Sequence, residues 1–210
     1  MAGPHGERFA YRSFGRAGTR TLVLHMRVRV RVRVRVRVPG TIDHWDPTLL
    51  DLLAAEREVV VFDNLGTNFS TGEPPSTMEG LVDGSLAFIG ALGLEDVDVL
   101  GWSMGDIVAQ GVALTAPGLV NRPVVADSSP GGAPDLPRLR RASRRSPTRE
   151  PGTNDDEDFL CLFTRRRRAT YAMSQRPPDA KVVLYSDAGH GSLFQHPEHL
   201  AYEVNEFLGR

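Results

Sequence analysis

The sequence predicts an α/β chain: a mostly parallel sheet covered by helices on both faces. Three observations carry that prediction. Short apolar runs rich in β-branched residues recur at 21–25 (TLVLH), 58–62 (EVVVF), 97–100 (VDVL), 123–126 (PVVA) and 181–185 (KVVLY). Longer stretches of helical character separate them. Most of the runs are apolar at nearly every position, which marks strands buried on both faces rather than strands with one wet side.

The segment FAYRSFG at 9–15 alternates in polarity and predicts an antiparallel edge strand ahead of the first buried run. Helices are expected at 45–55, at 77–92 where Gly93 ends the pattern, at 104–116 where Pro117 stops it, and at 198–208. Strand and helix alternate from residue 20 to 129 and then the alternation fails. Residues 131–178 are rich in Arg, Pro, Ser and acids, with FLCLF as the apolar run among them. This stretch reads as a polar, flexible insert within a single domain of residues 1–210.

Composition narrows the function classes. At 210 residues with 40% hydrophobic and 24% charged content, the chain can bury one sizeable core. It has no apolar run of membrane-spanning length, and its first residues lack the apolar stretch of a signal peptide, which points to a cytoplasmic protein. The single cysteine, Cys161, offers neither an internal disulfide nor a metal cluster. Net charge is -1, yet Arg is crowded into 27–37, 138–149 and 165–168, and all but Lys181 of the 25 basic residues are Arg. Overall charge therefore gives no sign of a nucleic-acid partner.

The chemistry-bearing motif is VDVLGWSMGD. Gly101-Trp102-Ser103-Met104-Gly105 fits G-x-S-x-G directly after a predicted strand and directly before a predicted helix. The small residues permit a tight, strained turn that lifts the Ser103 hydroxyl clear at the helix N-terminus. There the helix dipole and the Met104 N–H can stabilise a developing oxyanion. The bland alternative is a serine that merely caps the helix. A second motif, Asp187-Ala188-Gly189-His190-Gly191, follows the last apolar run. A histidine there can reach across the carboxyl ends of a parallel sheet to a serine nucleophile. His196 and His199 lie at the start of the last helix and read as surface residues.

With these motifs the chain resembles the α/β-hydrolase family, in its small, lid-bearing esterase-like, peroxidase-like and dehalogenase-like branch. The resemblance rests on the GWSMG elbow, on the DAGHG histidine loop, and on FDNLGTNFSTG at 62–72. In that turn Asp63, Gly66, Ser70 and Gly72 match the family pattern and Asn68 replaces a glycine. Trp45-Asp46-Pro47 matches the family's helix start. The resemblance implies Ser103 as nucleophile, His190 as base and then acid, and an Asp or Glu that orients His190. It implies ester or related acyl bonds of a small molecule as substrate, and it requires neither metal nor organic cofactor.

Four departures qualify the match. The stretch that carries the family's usual acid has no counterpart between Gly131 and Asp179, so Asp127, at the end of VVADSS, is the candidate acid; it either completes the triad or caps the following loop. Asp187 sits too close to His190 on a tight loop and is expected to shape the turn. Asp106 follows the elbow where the family often has glycine, a position at which it could crowd the sheet. The insert at 131–178 is a reduced, lid-like segment, too polar and short for a full helical lid.

The last departure is the tract from Arg27 to Val38, in which Arg-Val repeats six times. In the resembled family the loop at this point begins with a His-Gly-like step and supplies the second oxyanion donor. His25-Met26 stands there, so Met26 is the candidate donor beside Met104, and Pro39-Gly40-Thr41 continues the loop. Twelve extended residues would span roughly 40 Å, longer than an ordinary strand, and six like charges would oppose pairing in a sheet. The tract is therefore read as a low-complexity insertion into the loop. A basic arm for anionic partners is the alternative, and a hydrolase-fold protein that binds without catalysis is the alternative function.

Overall fold

The computed structural model describes residues 3, 6–26, 40–127, 183, 185, 187–188 and 190–209. The strands are β1 (Tyr11–Gly15), β2 (Thr21–His25), β3 (Glu58–Phe62), β4 (Val97–Trp102) and β5 (Val120–Ala126). The helices are α1 (Pro47–Ala54), α2 (Met78–Ala91), α3 (Met104–Thr115), α4 (Ser192–Gln195) and α5 (Pro197–Leu208), with a 3-10 turn at Ile42–His44. One sheet runs in the order β1-β3-β2-β4-β5. Its β1 edge is antiparallel to β3, as the alternation of FAYRSFG predicts, and the other pairs are parallel.

The central strands β2, β3 and β4 are buried on both faces because they are largely apolar in both phases of the two-residue period, whereas the edge strands β1 and β5 are half-buried or exposed at most positions, β5 against the expectation for its apolar run. Leu22, Leu24, Val59 and Val61 point to one face and pack with Leu49 and Leu53 of α1 and Leu200, Val204 and Leu208 of α5. Val23, Val60, Phe62, Val97 and Val99 point to the other, against Phe88 and Ile89 of α2 and Val108 and Val112 of α3. Burying each such side chain contributes about 1.5–3 kcal/mol. The ion pairs Arg12–Asp43 and Arg20–Asp96 are both 2.8 Å long and well exposed. Exposed pairs of this kind contribute about 0–1 kcal/mol, so apolar packing rather than charge holds the layers together.

Element ends differ from the sequence expectation where caps or pairing decide. The first helix begins at Pro47 rather than at 45, because the Asp46 side chain accepts the Leu49 N–H at 3.1 Å as N-cap and Trp45 is buried in the core. Thr77 caps α2 in the same way through the Gly80 N–H, at 3.1 Å. Strand β5 starts at Val120, three residues before the expected run, because Val120 pairs with Val97. The register then slips between Val97 and Val99, where Pro123, which has no N–H, stands opposite Val99.

The Arg-Val tract at 27–38, the insert at 131–178 with Cys161, and most of the strand expected at 181–185 lie outside the described residues. No helix among the described residues is long and apolar enough to cross a membrane.

Candidate active site

The site is built at the carboxyl end of β4. Ser103 stands between β4 and α3 with φ 59° and ψ -114°, a conformation that costs a non-glycine residue about 1–3 kcal/mol. Two glycines make the turn possible. A Cβ on Gly101 would run into the backbone of Gly105 and Asp106, and one on Gly105 would run into the carbonyls of His25 and Met26. The elbow is thus wedged against the end of β2, and the Ser103 N–H donates to the Ala126 carbonyl at 3.0 Å, which ties it to the end of β5.

The Ser103 hydroxyl makes no capping bond to α3, against the bland reading of this serine. Its Oγ instead lies 2.8 Å from Nε2 of His190. His190 arrives on the turn that leads into α4, and its ring stacks on the Trp102 indole, centroids 5.5 Å apart and planes at 28°. The Trp102 Nε1–H donates to the His190 carbonyl at 3.1 Å.

Asp127, the first residue after β5, also has a left-handed backbone, with φ 57°. Its Oδ2 accepts from the Ser192 N–H at 2.8 Å, from the Ser192 hydroxyl at 2.9 Å and from Trp102 Nε1 at 3.3 Å. The carboxylate is therefore held by Ser192, two residues past His190, and by Trp102, whose ring stacks on His190. Asp187 lies elsewhere: its side chain is 70% exposed, and Oδ1 sits 3.3 Å from His196 Nε2 without hydrogen-bond alignment. His196 is half-buried, stacked on Tyr185, while His199 is exposed and contacts the Tyr185 hydroxyl at 3.0 Å and Glu203 at 3.5 Å. The expectation of two surface histidines thus needs correction for His196, whose ring is covered by Tyr185.

The loop after β2 meets the elbow at its first end and the D-x-x-G turn at its second. Met26 is fully buried, and its carbonyl abuts Gly105. Gly40 is also buried, and two residues on, the Ile42 N–H donates to Asp63 Oδ1 at 2.9 Å. Asp63 is wholly buried; its Oδ2 takes the Asn68 side-chain amide at 2.9 Å, and its carbonyl takes the Ser70 hydroxyl at 2.6 Å. The D-x-x-G turn thereby pins the loop that follows the Arg-Val tract. Asn68 has φ 49°, which explains why asparagine can replace glycine there.

His25, one residue before Met26, does not join the Ser103 pair. It is buried edge-on to Phe62, with Nδ1 3.4 Å from the Ser85 hydroxyl, and burial lowers its pKa from 6.5 to about 4. The ring is accordingly neutral at physiological pH. Asp106 does not splay the elbow from the sheet. It is buried in the first turn of α3, where the dipole favours a carboxylate, and accepts the Gln110 side-chain N–H at 2.9 Å.

A cavity of about 400 Å³ opens beside this region, lined by Phe9, Tyr11, Arg12, Ile42, Asn68 and Phe69 among others, and none of Ser103, Asp127 or His190 lines it. Among the described residues no cluster of three or more His, Cys, Asp or Glu could hold a metal ion. Two residues of the site went unrecognised in the sequence. Trp102 occupies the free position of the G-x-S-x-G pattern, and Ser192 lies two residues past His190; only the fold brings them to Asp127, across 25 and 65 residues of chain.

The model of the Alpha/beta hydrolase family matches residues 38–172, from the last valine of the Arg-Val tract onward. Solved structures align over nearly the whole chain. An alpha/beta hydrolase fold protein from Chitinophaga pinensis is similar at 22% identity and TM-score 0.76, covering 99% of this chain and 95% of that one. A hydrolase from Pseudomonas aeruginosa PA01 is similar at 19% identity and TM-score 0.71, covering 100% and 97%. The enol-lactonase from Burkholderia xenovorans LB400 is similar at 15% identity and TM-score 0.69, covering 100% and 99%. No curated protein matches the sequence. The family match spans more than half of the sequence and includes the strained elbow, and on that ground the chain belongs to the alpha/beta hydrolase family.

Proposed function

We propose that the chain is a serine hydrolase acting on ester or related acyl bonds of a small molecule. The observation that carries this reading is the 2.8 Å contact between Ser103 Oγ and His190 Nε2, made by a serine whose backbone is strained and whose hydroxyl is not used as a helix cap. His190 Nε2 takes the Ser103 proton as Oγ attacks the acyl carbon, and returns it to the leaving oxygen as the carbon–oxygen bond breaks. A water then repeats the sequence on the acyl-serine: His190 takes its proton, the carboxylic acid leaves, and Ser103 regains its hydrogen.

Asp127 is the acid in this reading. Its carboxylate is fixed by Ser192, two residues past His190, and by Trp102, whose ring stacks on the imidazole; in the proposed triad it accepts the His190 Nδ1 proton so that Nε2 remains the base. The Met104 N–H, at the N-terminus of α3, and the Met26 N–H, in the loop after β2, stabilise the oxyanion. Support for Met26 is its nearness to the elbow, where its carbonyl abuts Gly105.

Hydrolysis of p-nitrophenyl acetate by the folded chain tests the reading. Activity should vanish in Ser103→Ala and in His190→Ala, leaving their thermal stability close to that of the parent. A folded parent chain with no Ser103-dependent turnover on short-chain esters and lactones would favour the non-catalytic, ligand-binding alternative.

A further inference from the structure

We propose that Trp102 is a positioning residue, which holds His190 and Asp127 in register with Ser103 through one shared N–H and one stacked ring. This inference rests on the serine-hydrolase reading. Three contacts converge on a single indole. Its Nε1–H lies between two acceptors, Asp127 Oδ2 at 3.3 Å and the His190 carbonyl at 3.1 Å, the long, paired distances of a three-centre bond. Its π-face lies on the His190 imidazole. The edge-to-face contact with Phe194 of α4, centroids 5.3 Å apart at 87°, braces the indole from a further side.

These contacts matter because of where the two partners come from. Asp127 follows β5, while His190 enters on the turn before α4, so no local structure fixes their separation. Trp102 precedes Ser103 directly in the chain. The indole thereby contacts the base and the acid and adjoins the nucleophile, alongside the Ser103 N–H bond to Ala126 that ties the elbow to the end of β5. Ser192 bonds Asp127 from α4 and so ties the acid to the histidine turn. A base misplaced by about 1 Å costs on the order of a hundredfold in rate, and a positioning group acts at that scale.

Trp102→Phe keeps an aromatic face for His190 and removes the shared donor. Steady-state kinetics on p-nitrophenyl acetate, in the parent and in an Asp127→Asn background, test the proposal. The expected result is a drop in kcat of about 10–100-fold with KM changed less than about twofold. In the Asp127→Asn background the same substitution should cost less than about threefold, because the register it protects is already lost. An unchanged kcat, a change confined to KM, or an equal cost in both backgrounds would overturn the proposal; the second of these would make Trp102 a substrate-pocket wall instead. If Trp102→Phe does not fold, Phe194→Leu serves, since it loosens the indole without touching either acceptor: a kcat loss of about threefold or more at constant KM supports the proposal, and an unchanged kcat overturns it. A parent chain with no Ser103-dependent turnover overturns the hydrolase reading, and the inference falls with it.

Discussion

Replacing Asp127 by Asn removes one charge while preserving size and shape, and the hydrogen bonds around it dictate which way the new amide turns. Oδ2 accepts from the Ser192 N–H at 2.8 Å, the Ser192 hydroxyl at 2.9 Å and Trp102 Nε1 at 3.3 Å. The Ser192 N–H and the indole N–H can only donate. An amide NH2 set against them would leave three donors facing one another, so the amide oxygen must take the Oδ2 position and the NH2 the Oδ1 position. In the proposed triad that NH2 faces His190 Nδ1 and obliges it to accept. The imidazole proton then moves to Nε2, which can no longer take the Ser103 proton. The expected loss in kcat is on the order of 10⁴, or about 5.5 kcal/mol in barrier height. Folding stability should change far less, by about 1 kcal/mol, because the three Oδ2 bonds survive as neutral ones. Spectrophotometric ester hydrolysis gives kcat, and thermal unfolding by circular dichroism confirms a folded variant. A folded Asp127→Asn chain within about tenfold of the parent kcat would refute the assignment of Asp127 as the orienting acid.

Two further outcomes follow from the packing of the site. Gly105→Ala places a methyl group against the carbonyls of His25 and Met26, so α3 must retreat from β2; stability should fall by about 1–3 kcal/mol in urea unfolding, and kcat by about a hundredfold as Ser103 moves from His190. His25 takes a proton near pH 4 when folded but near its ordinary 6.5 when unfolded, so between these values the unfolded chain holds more protons and stability falls as pH drops. The loss should reach about 3 kcal/mol by pH 4, and His25→Leu should flatten that part of the stability–pH curve; an unflattened slope would place the titrating group elsewhere.

What could be read from the sequence was local. The G-W-S-M-G elbow announces itself because the strand, the two glycines and the following helix are neighbours in the chain, and the close approach of Gly105 to His25 and Met26 gives the second glycine its reason. The buried strands were legible because β-branched runs on a sheet covered twice need no alternation. Asp127 could be nominated from its place at the end of β5, but not the left-handed backbone or the Ser192 and Trp102 donors that hold it, since these depend on contacts across 25 and 65 residues. The start of β5 was missed for a similar reason: pairing of Val120 with Val97, not local composition, sets it. Trp102 was invisible as more than a filler of the motif, because its partners meet only after the sheet and α4 have assembled.

Every step of the proposed reaction depends on Ser103 as an activated nucleophile. Incubation of the folded chain with a fluorophosphonate probe, followed by peptide mass spectrometry, tests this most directly. A single adduct on Ser103 is expected, formed at least about a hundredfold more slowly in His190→Ala and absent in Ser103→Ala. A folded chain that forms no adduct, or that labels equally well without His190, would contradict the proposed reaction.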